Sequence, residues 1–141
     1  MAEAQSPFEG FCAATHPDHC VDRHPGRYLV AVYRLGVGAD HGVTTGDVSD
    51  ALGVQPASVT EMLNRLDSEG LLAYEKYRGA RLTGHGETLA RELAWRQWSV
   101  RVFFAERLDL TLDDRTAYRI GYTLPKQGLD RLTDLAGADG D

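Results

Sequence analysis

Gly53-Val-Gln-Pro-Ala-Ser-Val-Thr-Glu-Met-Leu-Asn-Arg-Leu-Asp-Ser-Glu-Gly-Leu-Leu-Ala-Tyr-Glu-Lys-Tyr-Arg-Gly79 places a helix directly before a basic hairpin. Gly53 permits a tight turn and Pro56 suits a first helical turn, where a missing N–H costs little. Val59, Met62, Leu63 and Leu66 then repeat at helical spacing, and Gly70 closes the run. Leu71 to Tyr77 and Ala80 to Thr83 read as two strands around Arg78-Gly79. A helix of this length followed by a two-stranded wing is how a winged helix-turn-helix offers one helix to a DNA major groove.

Upstream, Tyr28, Leu29, Val32, Tyr33 and Leu35 mark one face of a helix that starts at Arg27 and stops at Gly36 and Gly38. Thr44 or Thr45 caps a second, from Gly46 to Leu52. Downstream, Thr83 caps a long fourth helix with an apolar stripe running from Leu89 to Leu108. A fifth opens at Thr111 or Leu112, with Asp113 and Asp114 at its start, and a sixth begins at Pro125 and continues through Leu135. The predicted fold is mainly α: a winged helix-turn-helix with a small β-hairpin wing, plus a C-terminal helical dimerisation domain. Its predicted parts are an irregular arm over 1–26, the winged domain over 27–83, the dimerisation helices over 84–136 and a frayed tail over 137–141.

The 141 residues suit one domain, or a small domain with a dimerisation segment. No apolar run is long enough to span a bilayer, and the N-terminus lacks the pattern of a signal peptide, so a cytoplasmic protein without membrane contact is expected. The net charge of −6 is an unusual sign for a DNA binder. The deficit is uneven, however: residues 27–83 carry six basic and seven acidic side chains and are the least acidic segment. All but two of the fifteen basic residues are Arg, which together with the Ala, Gly and Asp content indicates a GC-rich genome.

Val54-Gln-Pro-Ala-Ser-Val-Thr60, Leu66-Asp67, Tyr74-Glu-Lys-Tyr-Arg-Gly79 and Leu82-Thr83 resemble the diphtheria-toxin-repressor family. The nearer branch is the manganese-transport regulators, the two-domain form without an SH3-like domain. The resemblance covers roughly Arg27 to Leu135, and the wing is its specific part. It implies a homodimeric repressor that grips double-stranded DNA when Mn(II) or Fe(II) binds. It also implies metal ligands at positions that here are Arg27, Val30, Gln97, Tyr118, Gly121 and Tyr122. Those ions take carboxylates and imidazoles, which these residues do not supply. The expectation is therefore that no metal binds at the family site and that the signal differs or DNA binding is constitutive. Arg27 is read both as a DNA contact and as a fixed positive charge in place of the ion.

The DNA-contact candidates on the third helix are Pro56, Ala57, Ser58, Thr60, Glu61, Asn64 and Arg65, with Thr45 at the head of the second. Ser and Thr reach phosphates or bases, Ala57 a thymine methyl and Asn64 an adenine. Glu61 either accepts from cytosine or repels phosphate. On the wing, Lys76, Tyr77, Arg78 and Arg81 clamp phosphates. Alternative readings remain open. Cys12, His16, His19, Cys20 and His24 form a ligand-dense arm that admits a zinc site, a redox pair or no function. Trp95, Trp98, Phe103, Phe104, Tyr118 and Tyr122 serve a dimer core or line a small-molecule pocket. His41 and His85 fall in solvent-facing loops. The acidic balance and Glu61 leave room for a protein-interaction dimer that kept the fold without DNA affinity. Nothing in the chain resembles a catalytic constellation, so no enzyme is expected.

Overall fold

The structure is a computed structural model that describes residues 21–137. In chain order it has α1 (Arg23–Gly36), α2 (Thr45–Leu52), α3 (Pro56–Ser68), β1 (Leu72–Glu75), β2 (Gly79–Leu82), α4 (Gly84–Leu108), α5 (Asp114–Thr123) and α6 (Lys126–Ala136). The chain divides into two compact units. One runs from His24 to Ala90; among the described residues the other combines 21–23 with 91–137.

The first unit is a winged helix. Helix α1 starts four residues before the expected Arg27 because Pro25 lies in its first turn, where neither its fixed φ nor its missing N–H interrupts the ladder. Helix α2 opens on a capping box: the Thr44 hydroxyl accepts from Asp47 N at 3.0 Å, and Thr44 N donates to the Asp47 carboxylate at 3.3 Å. Gly53, left-handed at φ 68°, ends it. The Ser49 hydroxyl donates to Val54 O at 2.6 Å and braces the turn into α3. Tyr28, Leu29, Val48, Val59, Leu63, Leu66 and Leu72, each 2% exposed or less, fill the core. At about 25 cal/mol per Å² of apolar area removed from water, such side chains hold the helices together.

The wing is antiparallel, with Leu72 opposite Leu82 and Glu75 opposite Gly79. Its strands are shorter than expected, since residues 76–78 form the turn. Val43 adds a bridge to Ala80 on the other edge, with N–H···O bonds of 2.9 and 2.8 Å. Tyr74 N donates to Asp67 at 3.0 Å, pinning β1 to the end of α3. Thr83 serves two elements: its hydroxyl donates to Gly70 O at 2.8 Å and accepts from Gly86 N at 3.1 Å, capping α4 as expected. His85 lies in the first turn of α4 rather than in a loop, and is exposed; His41 is exposed in the link before α2.

In the second unit, the C-terminal part of α4 packs with α5 and α6 around Val100, Ala117 and Leu129. Trp95, Phe104, Ile120, Leu124 and Leu132 close over that cluster, and Tyr118 is buried at 3%, whereas Trp98 is exposed. Asp113 caps α5 by accepting from Thr116 N at 3.2 Å and from its hydroxyl at 2.6 Å, and these bonds pull the Asp113 carboxyl below the usual carboxylate range.

Candidate nucleic-acid interface

Helix α3 separates its two faces cleanly. Val59, Leu63 and Leu66 are fully buried, whereas Pro56, Ala57, Ser58, Glu61, Asn64 and Arg65 are exposed and Thr60 is half-buried. The six exposed candidates thus share the outer face, and all lie within one unit. Two of them carry charge. Arg65 Nε pairs with Glu69 at 3.2 Å; both side chains are more than 40% exposed, and such a pair is worth about 0–1 kcal/mol. That is weak enough to exchange for a phosphate. Glu61, Arg65, Ser58, Met62, His24 and Tyr28 line an open cleft of about 370 Å³ beside the helix. Here the His24 ring meets Tyr28 edge-on at 5.3 Å. Burial pushes the Tyr28 phenol up, opposed by the neighbouring Arg27 charge.

The wing carries its charges at the tip. Lys76, Tyr77, Arg78 and Arg81 are all exposed. Arg78 pairs loosely with Glu75 at 3.6 Å, and the Lys76 ammonium sits 5.3 Å from the centre of the Tyr77 ring. Arg81 is less free than the sequence suggests, because its guanidinium donates to Asp40 O at 2.8 Å. Thr45 is half-buried and its hydroxyl lies 3.3 Å from that of Tyr74, which ties the head of α2 to the wing. Arg27 is half-buried on α1. Of the Cys/His arm only His24 is described; Cys12, His16, His19 and Cys20 lie outside the described residues.

Residues 24–80 match the family model for the N-terminal DNA-binding domain of iron-dependent repressors. The HTH-type transcriptional regulator MntR of Lysinibacillus sphaericus (strain C3-41) is 38% identical over 93 residues, 63% of this chain and 65% of that protein. Its counterpart in Bacillus subtilis (strain 168) is 36% identical over 93 residues, 63% of each. Over these stretches the chain is similar to the DtxR/MntR family. Among solved structures, the manganese regulator SloR superposes with a TM-score of 0.69 at 25% identity, covering 80% of this chain and 53% of that one. ScaR with bound Zn2+ gives 0.62 at 28%, with the same coverages. The chain thus spans less than two thirds of the length of these relatives.

At the positions where the resemblance to DtxR/MntR proteins implies metal ligands, three side chains of this chain bond to backbone carbonyls instead. The Tyr118 hydroxyl donates to Arg23 O at 2.7 Å and that of Tyr122 to Val21 O at 2.8 Å. Gln97 is 3% exposed and donates through Nε2 to Asp114 O at 2.7 Å. Its Oε1 is buried without a hydrogen-bond partner among the described residues. At Gly121 a Cβ would stand 2.8 Å from both C and O of Arg96, so no larger side chain fits without moving backbone. Val30 on α1 is buried and apolar. One neutral amide oxygen is not the carboxylate and imidazole set that Mn(II) or Fe(II) takes, so these residues do not fit the ion.

Two features escaped sequence reasoning. Glu92 and Arg96 form a buried ion pair at 2.8 Å, 1% and 2% exposed. Arg96 Nη1 also donates to Gly121 O at 3.0 Å and Leu124 O at 2.7 Å, meeting the carbonyls at the end of α5. A Glu-x3-Arg pair inside the apolar stripe Leu89, Leu93 and Val100 was the available signal. The other is the backbone of Tyr77, left-handed at φ 73°.

Proposed function

We propose that this chain is a sequence-specific DNA-binding transcription regulator, a repressor acting as a homodimer, whose grip on DNA does not depend on the family ion. Helix α3 enters the major groove, and the wing lies on the adjoining backbone. The observation that carries this reading is the outer face of α3, exposed from Pro56 to Arg65, in one compact unit with the basic wing tip Lys76 to Arg78. Apolar support lies underneath, and polar groups able to contact bases and phosphates lie outside. Metal independence is supported by the partners of Tyr118, Gln97 and Tyr122 and by the closure at Gly121. The role is that of a regulator, not a catalyst.

The test is fluorescence anisotropy with a pool of random duplexes, selected over several rounds at low salt and then titrated with salt. Retention of a shared motif, with affinity falling linearly on a logarithmic salt scale, is the expected result. Absence of duplex binding at low salt would sink the reading. The net charge of −6 and the acidic Glu61 would then favour a protein-interaction dimer that kept the fold.

A further inference from the structure

At the tip of the wing, Tyr77 sits in the turn that Arg78 N closes by donating to Glu75 O at 2.9 Å, and it does so in an unusual backbone conformation. Tyr77 has φ 73°, in the left-handed region where a side chain's Cβ crowds the backbone and where Gly or Asn is the usual occupant. Two residues later Gly79 takes φ 91°, and there glycine is demanded: a Cβ would come 2.7 Å from Val43 O. Tyr77 faces the opposite situation. A smaller residue would relieve the backbone, yet a large aromatic stands there at 93% exposure. So exposed a ring buries almost no surface in return; its contact is the Lys76 ammonium 5.3 Å from its centroid. Backbone strain of this kind is held in place by the surrounding structure and clusters at ligand clamps and other functional sites.

The residues around the ring indicate which partner. Lys76 precedes it and Arg78 follows it, both exposed, and Arg78 pairs loosely with Glu75 at 3.6 Å. A flat phenol between two cations suits a narrow, polyanionic cleft. The minor groove of B-DNA is about 6 Å wide, and over A·T pairs its floor presents only acceptors, adenine N3 and thymine O2. G·C pairs add the guanine amino group, a donor that also obstructs the floor. A phenol hydroxyl donates to the first kind of floor and is met by a competing donor on the second. Narrow A-tracts also concentrate the negative potential that draws Lys and Arg.

We infer that Tyr77 is a minor-groove reader: its ring enters edge-on beside the site held by α3, its hydroxyl donates to A·T acceptors, and Lys76 and Arg78 take the flanking phosphates. The wing thereby adds sequence preference to the site, not backbone affinity alone. This inference rests on the DNA-binding reading above.

The experiment uses the full chain and a duplex selected by the wild type. Tyr77→Gly and Tyr77→Asn both suit a left-handed backbone and remove the ring, so both are expected to melt at least as high as the wild type while binding about tenfold more weakly. In parallel, the A·T pairs under the wing are replaced by inosine·cytosine, which keeps an A·T-like minor groove and alters the major groove, and separately by G·C. The wild type should keep its affinity on the inosine duplex and lose it on the G·C duplex. If Tyr77→Gly and Tyr77→Asn bind within about twofold of the wild type, or if inosine costs as much as guanine, this inference is overturned and the DNA-binding reading stands. A wild type that binds no duplex overturns both.

Discussion

At Gly121 the missing side chain is a packing requirement. A Cβ there would press on the Arg96 carbonyl at 2.8 Å, and backbone on both helices yields little. Gly121→Ala is expected to destabilise the protein by about 1–3 kcal/mol, read as a lower urea midpoint at unchanged slope. Gly121→Glu, which restores a carboxylate to the family position, should cost more and recover no metal response. Tyr28 gives a prediction on pH. It is 1% exposed, and burial raises its pKa above the ordinary tyrosine value, so the folded state favours the neutral phenol. Its stabilising contribution is therefore complete below about pH 10 and is lost as pH rises through the raised folded-state value. Compared with Tyr28→Phe, the wild type should lose stability more steeply in urea unfolding above pH 10; parallel curves would refute this. The sequence shows that residue 121 is glycine and that residue 28 lies on an apolar face. It does not show that Arg96 crosses at the former, because a contact 25 positions away leaves no local pattern.

Among the elements, α3 and the wing were legible because their boundaries are written in local chemistry. Pro56 opens the helix, and Gly79 meets a positive φ. The start of α1 at Arg23 was hidden because Pro25 is read as a breaker unless its place in the first turn is known. Tyr77 was legible as an exposed wing residue, but its left-handed backbone was not, since tyrosine is not a turn-former. The two elements are expected to fail differently when altered. Arg78 is 83% exposed and is proposed to contact phosphate, which carries no sequence information, so Arg78→Ala should weaken binding to all duplexes alike and reduce the salt slope by about one. Asn64 lies on the outer face of α3, where an amide can pair with adenine, so Asn64→Ala should reorder preference among duplexes and leave the salt slope alone. Competition binding across a duplex panel at several salt concentrations separates the two; an unchanged preference in Asn64→Ala would remove that residue from the readout.

For the whole molecule, the second unit leaves apolar surface uncovered: Trp98 is 45% exposed, Leu108 54%, Leu110 48% and Leu135 53%. A second copy of this chain is the proposed cover, which would set two recognition helices roughly 34 Å apart, one turn of DNA. Light scattering at micromolar concentration should therefore give twice the chain mass, and Trp98→Glu should shift it towards the monomer. Response to metal is decided at the same scale. An ion strengthens DNA binding only if it holds the competent state more tightly than the other, and that difference has to come from ligands. Among the described residues no group of three or more His, Cys, Asp or Glu converges on one point. Tyr118 and Tyr122 instead hold Arg23 O and Val21 O by hydrogen bonds, contacts that exist without an ion. Added Mn(II) or Fe(II) should thus change DNA affinity by less than about twofold, whereas a coupling of the size usual for allosteric ligands gives roughly 5–150-fold. Anisotropy titrations with and without each ion, in protein stripped by chelator, measure this directly. Activation within the allosteric range, persisting in Cys12→Ser with Cys20→Ser, would show that ligands other than those thiols hold the ion and that the metal-independent reading is wrong.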